Sequence, residues 1–525
     1  MTKRMSVARL RTLWAGGGEV ALFDVREEGP YAEAHPLFAV SLPVSEVEAR
    51  IRALVPRRSA PVAVYDAGEG HAERAARRIA AMGYSDVSVL DGGLHAYATA
   101  GEVYRDVNVP SKAFGELVEA IRHTPSLPAP EVRHILETEK DVVVLDARRF
   151  EEYATMSIPR GRSVPGGELV YRIGEVAPSP DTLVIVNCAG RTRSIIGTQS
   201  LIDAGIPNRV VALRNGTIGW TLEGLELDRA RAETVPDPGP EARAAARARA
   251  ARRAAHVGVP IIGADTLAQY RDEAGERTLY LLDVRSPQEY AAGHPAGFDS
   301  APGGQLVQAA DEWLAVRGAR VVLFDSDGVR ARMTGAWLYQ MGWDVAVLDE
   351  GALVGDDTTP PPGPVMPDIP GAARITPAEL HAAGDGVAVA DLARSPAYLR
   401  GHIPGAWHVS GPELARDLAR LPGTGPVVLT SPDGIVAAAN LADAGSARPV
   451  RVLTGGTDAW RAAGLPLSTE PRWTSEPIDT YKRPYEGTDN PREAMQGYID
   501  WELQLVAQLA NDGISRFRVV RAAPD

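Results

Sequence analysis

One loop in the sequence combines a candidate nucleophile with positive charge. It begins at Cys188, the only cysteine among the 525 residues. The residues that follow it are Ala189, Gly190, Arg191, Thr192, Arg193 and Ser194. A thiolate is a strong nucleophile, and it forms more readily beside cations and at the start of a helix. The loop therefore predicts a reactive thiol that meets an anionic substrate.

The segments on either side of this loop should position the thiol. The apolar residues 183–186 predict a buried strand, and residues 194–203 predict a helix. A cysteine between them faces unpaired backbone N–H groups at the positive end of the helix dipole. With Arg191 and Arg193, these groups are expected to lower the pKa of Cys188 below the value of about 8.5 for a free cysteine. The alternative is a small buried hydrophobic residue, but a loop with two arginines is not apolar.

Composition limits the class of protein. The chain is 45% hydrophobic and 23% charged, which is typical of a soluble globular protein, and at about 150 residues per domain it should form three to four domains. The net charge of −13 argues against general affinity for nucleic acid or membranes. The N-terminal segment is charged and unlike a secretory signal, and no run of about 18 apolar residues occurs. We expect a cytoplasmic protein without disulfides or a metal site.

An apolar strand that ends in Asp-x-Arg recurs along the chain. The copies lie at residues 21–26, 142–148 and 280–285 and, more loosely, at residues 387–394. Each copy continues with a tyrosine, a second apolar strand, a helix, a short strand and a glycine turn. Alternation of strands and helices predicts an α/β domain whose mainly parallel sheet is covered by helices on both faces.

Two segments of the fourth copy resemble signature segments of the rhodanese (sulfurtransferase) family. They are Gly-His-Ile-Pro-Gly-Ala at residues 401–406 and Leu-Thr-Gly-Gly-Thr-Asp-Ala-Trp at residues 453–460, and the second copy has weaker versions at residues 157–161 and 215–220. The resemblance implies four tandem rhodanese-like domains. Their predicted bounds are residues 5–105, 125–230, 260–355 and 373–470, followed by a helical C-terminal extension at residues 473–525.

The resemblance also implies a two-step reaction without a cofactor. The Cys188 thiolate would attack the outer sulfur of an anionic donor such as thiosulfate, and the resulting persulfide would pass this sulfur to a thiophilic acceptor, cyanide or a cellular thiol. The two arginines would attract the donor, and the loop N–H groups would stabilise the persulfide. Ser194 is predicted to cap the helix, with a hydrogen bond to substrate as the alternative. The residues expected to bind substrate are Ala189, Gly190, Arg191, Thr192, Arg193 and Ser194.

The equivalent loops of the other copies lack the cysteine. The first copy has Asp66 in its place, and Glu69 where the second copy has an arginine, so both charges would repel an anion. The third copy aligns with Ser326 and the fourth with Ser431. A serine hydroxyl needs a neighbouring base to become a nucleophile, and no histidine is near Ser326 in sequence. The loop of the fourth copy has no arginine. We expect these three copies to be inactive and structural.

Two other functions share parts of this pattern. Dual-specificity phosphatases also use a cysteine at the start of a helix, but their loop has five residues between the cysteine and the arginine. Here four residues separate Cys188 from Arg193, and the sixth place is Ser194. The second alternative is a scaffold that passes persulfide sulfur to a specific protein partner.

Three segments lie outside the copies. Residues 241–255 consist mainly of alanine and arginine without aromatic residues, which predicts a helical spacer rather than a nucleic-acid site. The proline-rich residues 358–364 predict a stiff, extended link. Residues 491–511 predict a core or docking helix, with partner binding as the less favoured role. The residues on its predicted apolar face are Met495, Tyr498, Leu505, Gln508 and Leu509.

Overall fold

The computed structural model describes residues 2–352 and 369–521, so the predicted link at residues 358–364 lies outside the described residues. The chain divides into two compact units. One unit contains the first and fourth sheets, and the other contains residues 11–19, the second and third sheets and the tail from Lys482. Within the described ranges, no helix has the length and hydrophobicity that a membrane crossing requires.

The first unit is built from two five-stranded sheets. The elements of the first copy are β1 (Lys3–Met5), α1 (Val7–Gly16), β2 (Ala21–Asp24), α2 (Glu28–Glu33), β3 (Ala39–Ser41), α3 (Val47–Leu54), β4 (Val62–Tyr65), α4 (His71–Ala81), β5 (Val87–Leu90) and α5 (Gly93–Ala98).

The second unit repeats this order twice. Its first half consists of α6 (Val109–Arg122), β6 (Ser126–Leu127), α7 (Ala129–Thr138), β7 (Val142–Asp146), α8 (Phe150–Thr155), β8 (Gly161–Ser163), α9 (Leu169–Val176), β9 (Leu183–Asn187), α10 (Thr192–Asp203), β10 (Val210–Leu213), α11 (Gly216–Leu222) and α12 (Pro240–Val257). Its second half consists of β11 (Ile261–Ile262), α13 (Ala264–Asp272), β12 (Leu279–Asp283), α14 (Pro287–Ala292), β13 (Asp299–Ser300), α15 (Gly303–Gln308), β14 (Arg320–Phe324), α16 (Arg330–Gln340) and β15 (Asp344–Leu348).

The fourth copy returns to the first unit, and the tail belongs to the second. The elements of the fourth copy are β16 (Arg374–Ile375), α17 (Pro377–Ala383), β17 (Ala388–Asp391), α18 (Ser395–Arg400), β18 (Trp407–His408), α19 (Leu414–Leu418), β19 (Val427–Thr430), α20 (Ile435–Ala439), β20 (Val450–Leu453) and α21 (Gly456–Ala462). The tail contains α22 (Arg492–Glu502) and α23 (Leu505–Asp512).

All four sheets share one strand order, and their strands pair in parallel. In the second copy the order is β6-β10-β9-β7-β8, with β9 in the centre. Residues 183–186 of β9 are apolar on both faces because helices cover the sheet on both sides. The predicted α/β fold class is therefore confirmed, and each central strand delivers one loop to the carboxyl edge of its sheet.

Strand register corrects one alignment. Asp146 pairs with Asn187, the residue before Cys188. In the third copy Asp283 pairs with Phe324, so Asp325, and not the predicted Ser326, occupies the position of Cys188. Counting along the sequence missed this by one residue because the register is set by strand pairing.

The Asp-x-Arg motif has a structural role in the copies that contain it. Arg148 Nε donates to Asp146 Oδ1 at 2.9 Å, and its Nη2 donates to the carbonyl of Met156 at the end of α8. The arginine therefore ties the strand to the helix that follows. In the fourth copy Ala393, and not the predicted Arg394, occupies the arginine position, as the hydrogen bond from Ala393 N to Asp391 Oδ1 shows.

The segments between the copies pack more closely than a spacer would. The predicted helix over residues 241–255 is present as α12. Its Ala246 and Ala250 are buried and its Arg253 pairs with Asp203 at 2.6 Å, so it packs against the domains.

The predicted single tail helix is two helices, α22 and α23. The predicted apolar face is largely correct, since Met495, Tyr498, Leu505 and Leu509 are buried.

Candidate active site

Cys188 lies directly after the central strand β9 and four residues before the helix α10 begins at Thr192. Its carbonyl accepts a hydrogen bond from Thr217 N at 2.9 Å, at the start of α11. A β-carbon on Gly216 would lie 2.3 Å from this carbonyl, and Gly216 has a φ of +54°. Glycine is therefore required in the turn that packs beneath the loop.

The sulfur of Cys188 faces the first turn of α10. Its thiol donates to the hydroxyl of Ser194 at 3.4 Å, and that hydroxyl in turn donates to the carbonyl of Arg191 at 2.8 Å. The backbone N–H of Ser194 also points at the sulfur. We use the name amide cradle for the backbone N–H groups of the loop that face the side chain of Cys188, or of the equivalent residue in another copy. Ser194 lies inside the helix, so the prediction that it is the N-cap was wrong; Arg191 holds that position.

The environment of the thiol differs from the prediction in one respect. Cys188 is only 1% exposed. Burial raises the pKa of the Cys188 thiol, while Arg193 and the side-chain and backbone hydrogen bonds with Ser194 lower it in part. The predicted lowering of this pKa was therefore wrong, because a buried thiolate loses the stabilisation that water provides.

Both arginines of the loop are engaged by carboxylates. Arg193 donates to Glu152 on α8 at 2.7 and 2.8 Å. Arg191 donates to Glu116 on α6 at 2.7 and 2.8 Å and to the Asn215 side chain at 3.1 Å. Although burial alone would raise it, Arg193 holds the pKa of Glu152 well below its usual value. Of the two arginines, Arg193 is the one that acts on the sulfur.

The tail covers the loop from the other side. A β-carbon on Gly190 would lie 3.0 Å from Tyr498 Cε1 and 3.4 Å from Glu502 Oε2. The hydroxyl of Thr192 donates to Glu502 Oε1 at 3.4 Å. Glycine at position 190 thus permits α22 to lie against the loop, and the tail contributes side chains to the site.

Sequence reasoning missed four residues at this site, namely Glu116, Glu152, Tyr498 and Glu502. One of them left a signal in the sequence. The third copy has Glu289 and Arg330 at the positions of Glu152 and Arg193, and this pair also forms two hydrogen bonds of 2.7 Å. Once the third copy is aligned by strand register, both copies have glutamate and arginine at these positions. The other three gave no local signal because they come from outside the repeated unit.

The other three copies fill the amide cradle with oxygen. Asp66, Asp325 and Ser431 accept hydrogen bonds from the backbone N–H six residues ahead, at 2.9, 2.9 and 3.2 Å. Ser194 stands in the same relation to Cys188, six residues ahead of it. The cradle therefore receives a polar or anionic side chain in every copy, and the second copy alone supplies sulfur to it, since the sequence has one cysteine.

Comparisons with known proteins agree with this geometry. The family model described as "Rhodanese-like domain" matches residues 7–100, 129–223, 264–353 and 376–463. The crystal structure of thiosulfate sulfurtransferase from Pseudomonas aeruginosa is 53% identical, covers 99% of this chain and 100% of its own, and has a TM-score of 0.95. The comparison with curated proteins gave no match.

Shorter structures match one part of the chain. The Alr3790 protein from Anabaena sp. is 26% identical over 21% of this chain and 86% of its own, with a TM-score of 0.19. A rhodanese-related protein from Thermoplasma volcanium is 20% identical over 18% of this chain and 98% of its own, with a TM-score of 0.17.

Proposed function

This chain belongs to the rhodanese family, and we propose that it transfers sulfane sulfur from thiosulfate, or a similar donor, to a thiophilic acceptor through a persulfide on Cys188. The prediction of a rhodanese-type sulfurtransferase with four tandem domains is confirmed by the family model and by the 53% identical relative. The donor, the acceptor and the roles of individual residues are the proposed part. We also propose the cytoplasm as its compartment, because thiols stay reduced there.

The observation that carries the proposal is the position of the sulfur in the amide cradle. Cys188 lies just before the N-terminus of α10, and the Ser194 hydroxyl is 3.4 Å from its sulfur. Arg193 is the charged group that most lowers the pKa of this thiol. Donors aimed at a developing anion stabilise it most where water is excluded. The same groups that oppose the effect of burial on the thiol would stabilise a thiolate and a persulfide anion.

The first half-reaction follows from this geometry. The thiolate of Cys188 attacks the outer sulfur of thiosulfate, a new S–S bond forms, and the original S–S bond breaks with its electron pair left on sulfite. In the second half-reaction, the acceptor attacks the outer persulfide sulfur, and Cys188 leaves as a thiolate. Arg191 and Arg193 contribute to binding of the anionic donor, and the N–H groups of residues 189–194 hold the persulfide.

Three observations bear on the alternatives and on the roles of the other copies. The relative with 53% identity over nearly the whole chain is a thiosulfate sulfurtransferase, which does not favour a scaffold that lacks turnover. The cradles of the other copies hold Asp66, Asp325 and Ser431, which supports a structural role for them. The spacing between Cys188 and Arg193 remains shorter than a phosphatase loop needs.

The test is a thiosulfate and cyanide assay combined with intact mass spectrometry. We expect the protein incubated with thiosulfate to gain the mass of one sulfur atom and to form thiocyanate when cyanide is added. Cys188→Ser should abolish both signals. Ser326→Ala is the matched control, because Ser326 is exposed in the equivalent loop of the third copy. This variant should keep both the mass gain and the formation of thiocyanate. Sulfur loading on the Cys188→Ser variant would contradict the proposal.

A further inference from the structure

Glu502, the last residue of α22, presents a buried carboxyl group to the candidate active site. It is 0% exposed. Its Oε1 accepts hydrogen bonds from the hydroxyls of Tyr498 at 2.7 Å and Thr192 at 3.4 Å. Its Oε2 is buried and, within the described part of the chain, has no hydrogen-bond partner. A buried carboxyl oxygen without a hydrogen bond costs free energy. A bound ligand that donates a hydrogen bond to this oxygen would remove that cost.

The unpartnered oxygen faces the loop that carries Cys188. Oε2 lies 3.4 Å from the point that a β-carbon on Gly190 would occupy. Because Gly190 has no side chain, the carboxyl group lies directly against the backbone of the loop. The charge of Glu502 also acts on the sulfur, since it raises the pKa of Cys188. A group bound at the sulfur would therefore lie within reach of Glu502.

The charges around Glu502 set the pH range in which it exchanges a proton. Burial and the nearby Glu116 raise the pKa of Glu502 to about 7. Lys112 on α6, Tyr498 on its own helix and Arg191 in the loop lower it in part. A carboxyl group with this pKa is protonated in about half of the molecules near neutral pH, which suits an acid–base group.

We propose that Glu502 transfers the proton of a small thiol that accepts the sulfur. This inference rests on the proposed function and adds to it the group that takes the proton of a thiol acceptor. The acceptor R–SH gives its proton to Oε2, and its sulfur forms a bond to the outer sulfur of the Cys188 persulfide. The bond between the two persulfide sulfurs breaks, and its electron pair remains on Cys188. Glu502 then returns the proton to the product, R–S–SH. The cyanide anion has no proton to give up and needs no such group.

The test compares two acceptors on the full-length protein. Turnover of thiosulfate is measured with glutathione, by the sulfide that excess glutathione releases from its persulfide, and with cyanide, by thiocyanate. Glu502→Gln keeps the size of the side chain and removes the acid. Asp500→Asn is the matched control, because Asp500 is exposed on the same helix.

We expect Glu502→Gln to lower kcat/KM with glutathione by roughly a hundredfold, the lower end of what a general acid–base group contributes. The limb of its pH profile near 7 should also disappear. Sulfur loading and cyanide turnover should not fall, because removal of the Glu502 charge lowers the pKa of Cys188, and Glu502→Asp should restore part of the glutathione activity. Equal loss with both acceptors, or unchanged activity with both, would overturn the inference. Absent sulfur loading in the unaltered protein would instead overturn the proposed function.

Discussion

Arg193 and Glu152 form a two-pronged ion pair in which Nη1 meets Oε2 at 2.7 Å and Nη2 meets Oε1 at 2.8 Å. The pair joins the start of α10 to α8 and fixes the guanidinium beside the sulfur. The third copy keeps the same pair, as Arg330 and Glu289, although it has no cysteine. The pair therefore has a structural role in both copies, and in the second copy it also sets the charge next to Cys188.

Replacement of Arg193 should separate these two roles. Arg193→Gln removes the positive charge that lowers the pKa of Cys188, so this pKa should rise further. Each pKa unit reduces the thiolate fraction about tenfold at a pH below the pKa. The measurement is the rate of alkylation of Cys188 by iodoacetamide as a function of pH.

The control for this variant comes from the third copy. Arg330→Gln removes the equivalent cation, and it should destabilise the protein by about 3 kcal/mol because a buried carboxylate loses its partner. It should leave alkylation of Cys188 unchanged. An Arg193→Gln variant that reacts at the unaltered rate across the pH range would contradict the role given to Arg193.

The tail should control access to the sulfur. Cys188 is 1% exposed, and the ring of Tyr498 lies against Gly190. Tyr498→Ala removes that ring, so alkylation of Cys188 should be at least about tenfold faster at a fixed pH, since reactivity depends on access to the thiolate. Gln496→Ala, at an exposed position of the same helix, should have no effect. Equal rates in all three proteins would show that the tail does not limit access.

The sequence predicted those features that depend on neighbouring residues. The apolar strand before Cys188, the helix after it and the four repeated units follow from local patterns. Contacts between residues that are distant in the sequence leave no local pattern. The hydrogen bond between Thr192 and Glu502, for example, joins residues that are 310 positions apart. The direction of the pKa change at Cys188 was missed because the local sequence does not reveal that the thiol is buried. Counting along the sequence placed Ser326 where strand pairing puts Asp325. The nearby Arg394 hid the absence of the paired arginine in the fourth copy.

The first copy should remain inactive even when it receives a cysteine. Asp66→Cys would put a thiol in the cradle, where Asp66 now accepts from Ala72 N at 2.9 Å. Glu69 stays in the loop, and its Oε2 accepts from Ala67 N at 2.7 Å. This carboxylate should repel an anionic donor. In a Cys188→Ser background, mass spectrometry after thiosulfate treatment should show no added sulfur; Asp66→Ser in that background is the control, and a sulfur adduct specific to Asp66→Cys would refute the charge argument.

Asp391 of the fourth copy should make stability depend on pH. It is 1% exposed, and Ala393 takes the place of the arginine that pairs with its counterparts. Burial raises its pKa to about 7, whereas an aspartate in the unfolded chain has a pKa of about 3.9. The folded state therefore binds the proton more tightly. Its contribution to stability is greatest below about pH 4 and is lost as the pH rises to about 7. Between pH 5 and pH 8 this loss amounts to roughly 2 to 3 kcal/mol at 1.36 kcal/mol per pKa unit.

Asp391→Asn should match the unaltered protein at low pH and exceed its urea midpoint at pH 8. Asp146→Asn, which leaves the buried Arg148 without its carboxylate, should instead destabilise the protein at both pH values. Identical pH dependence in Asp391→Asn and the unaltered protein would show that Asp391 is not the titrating group.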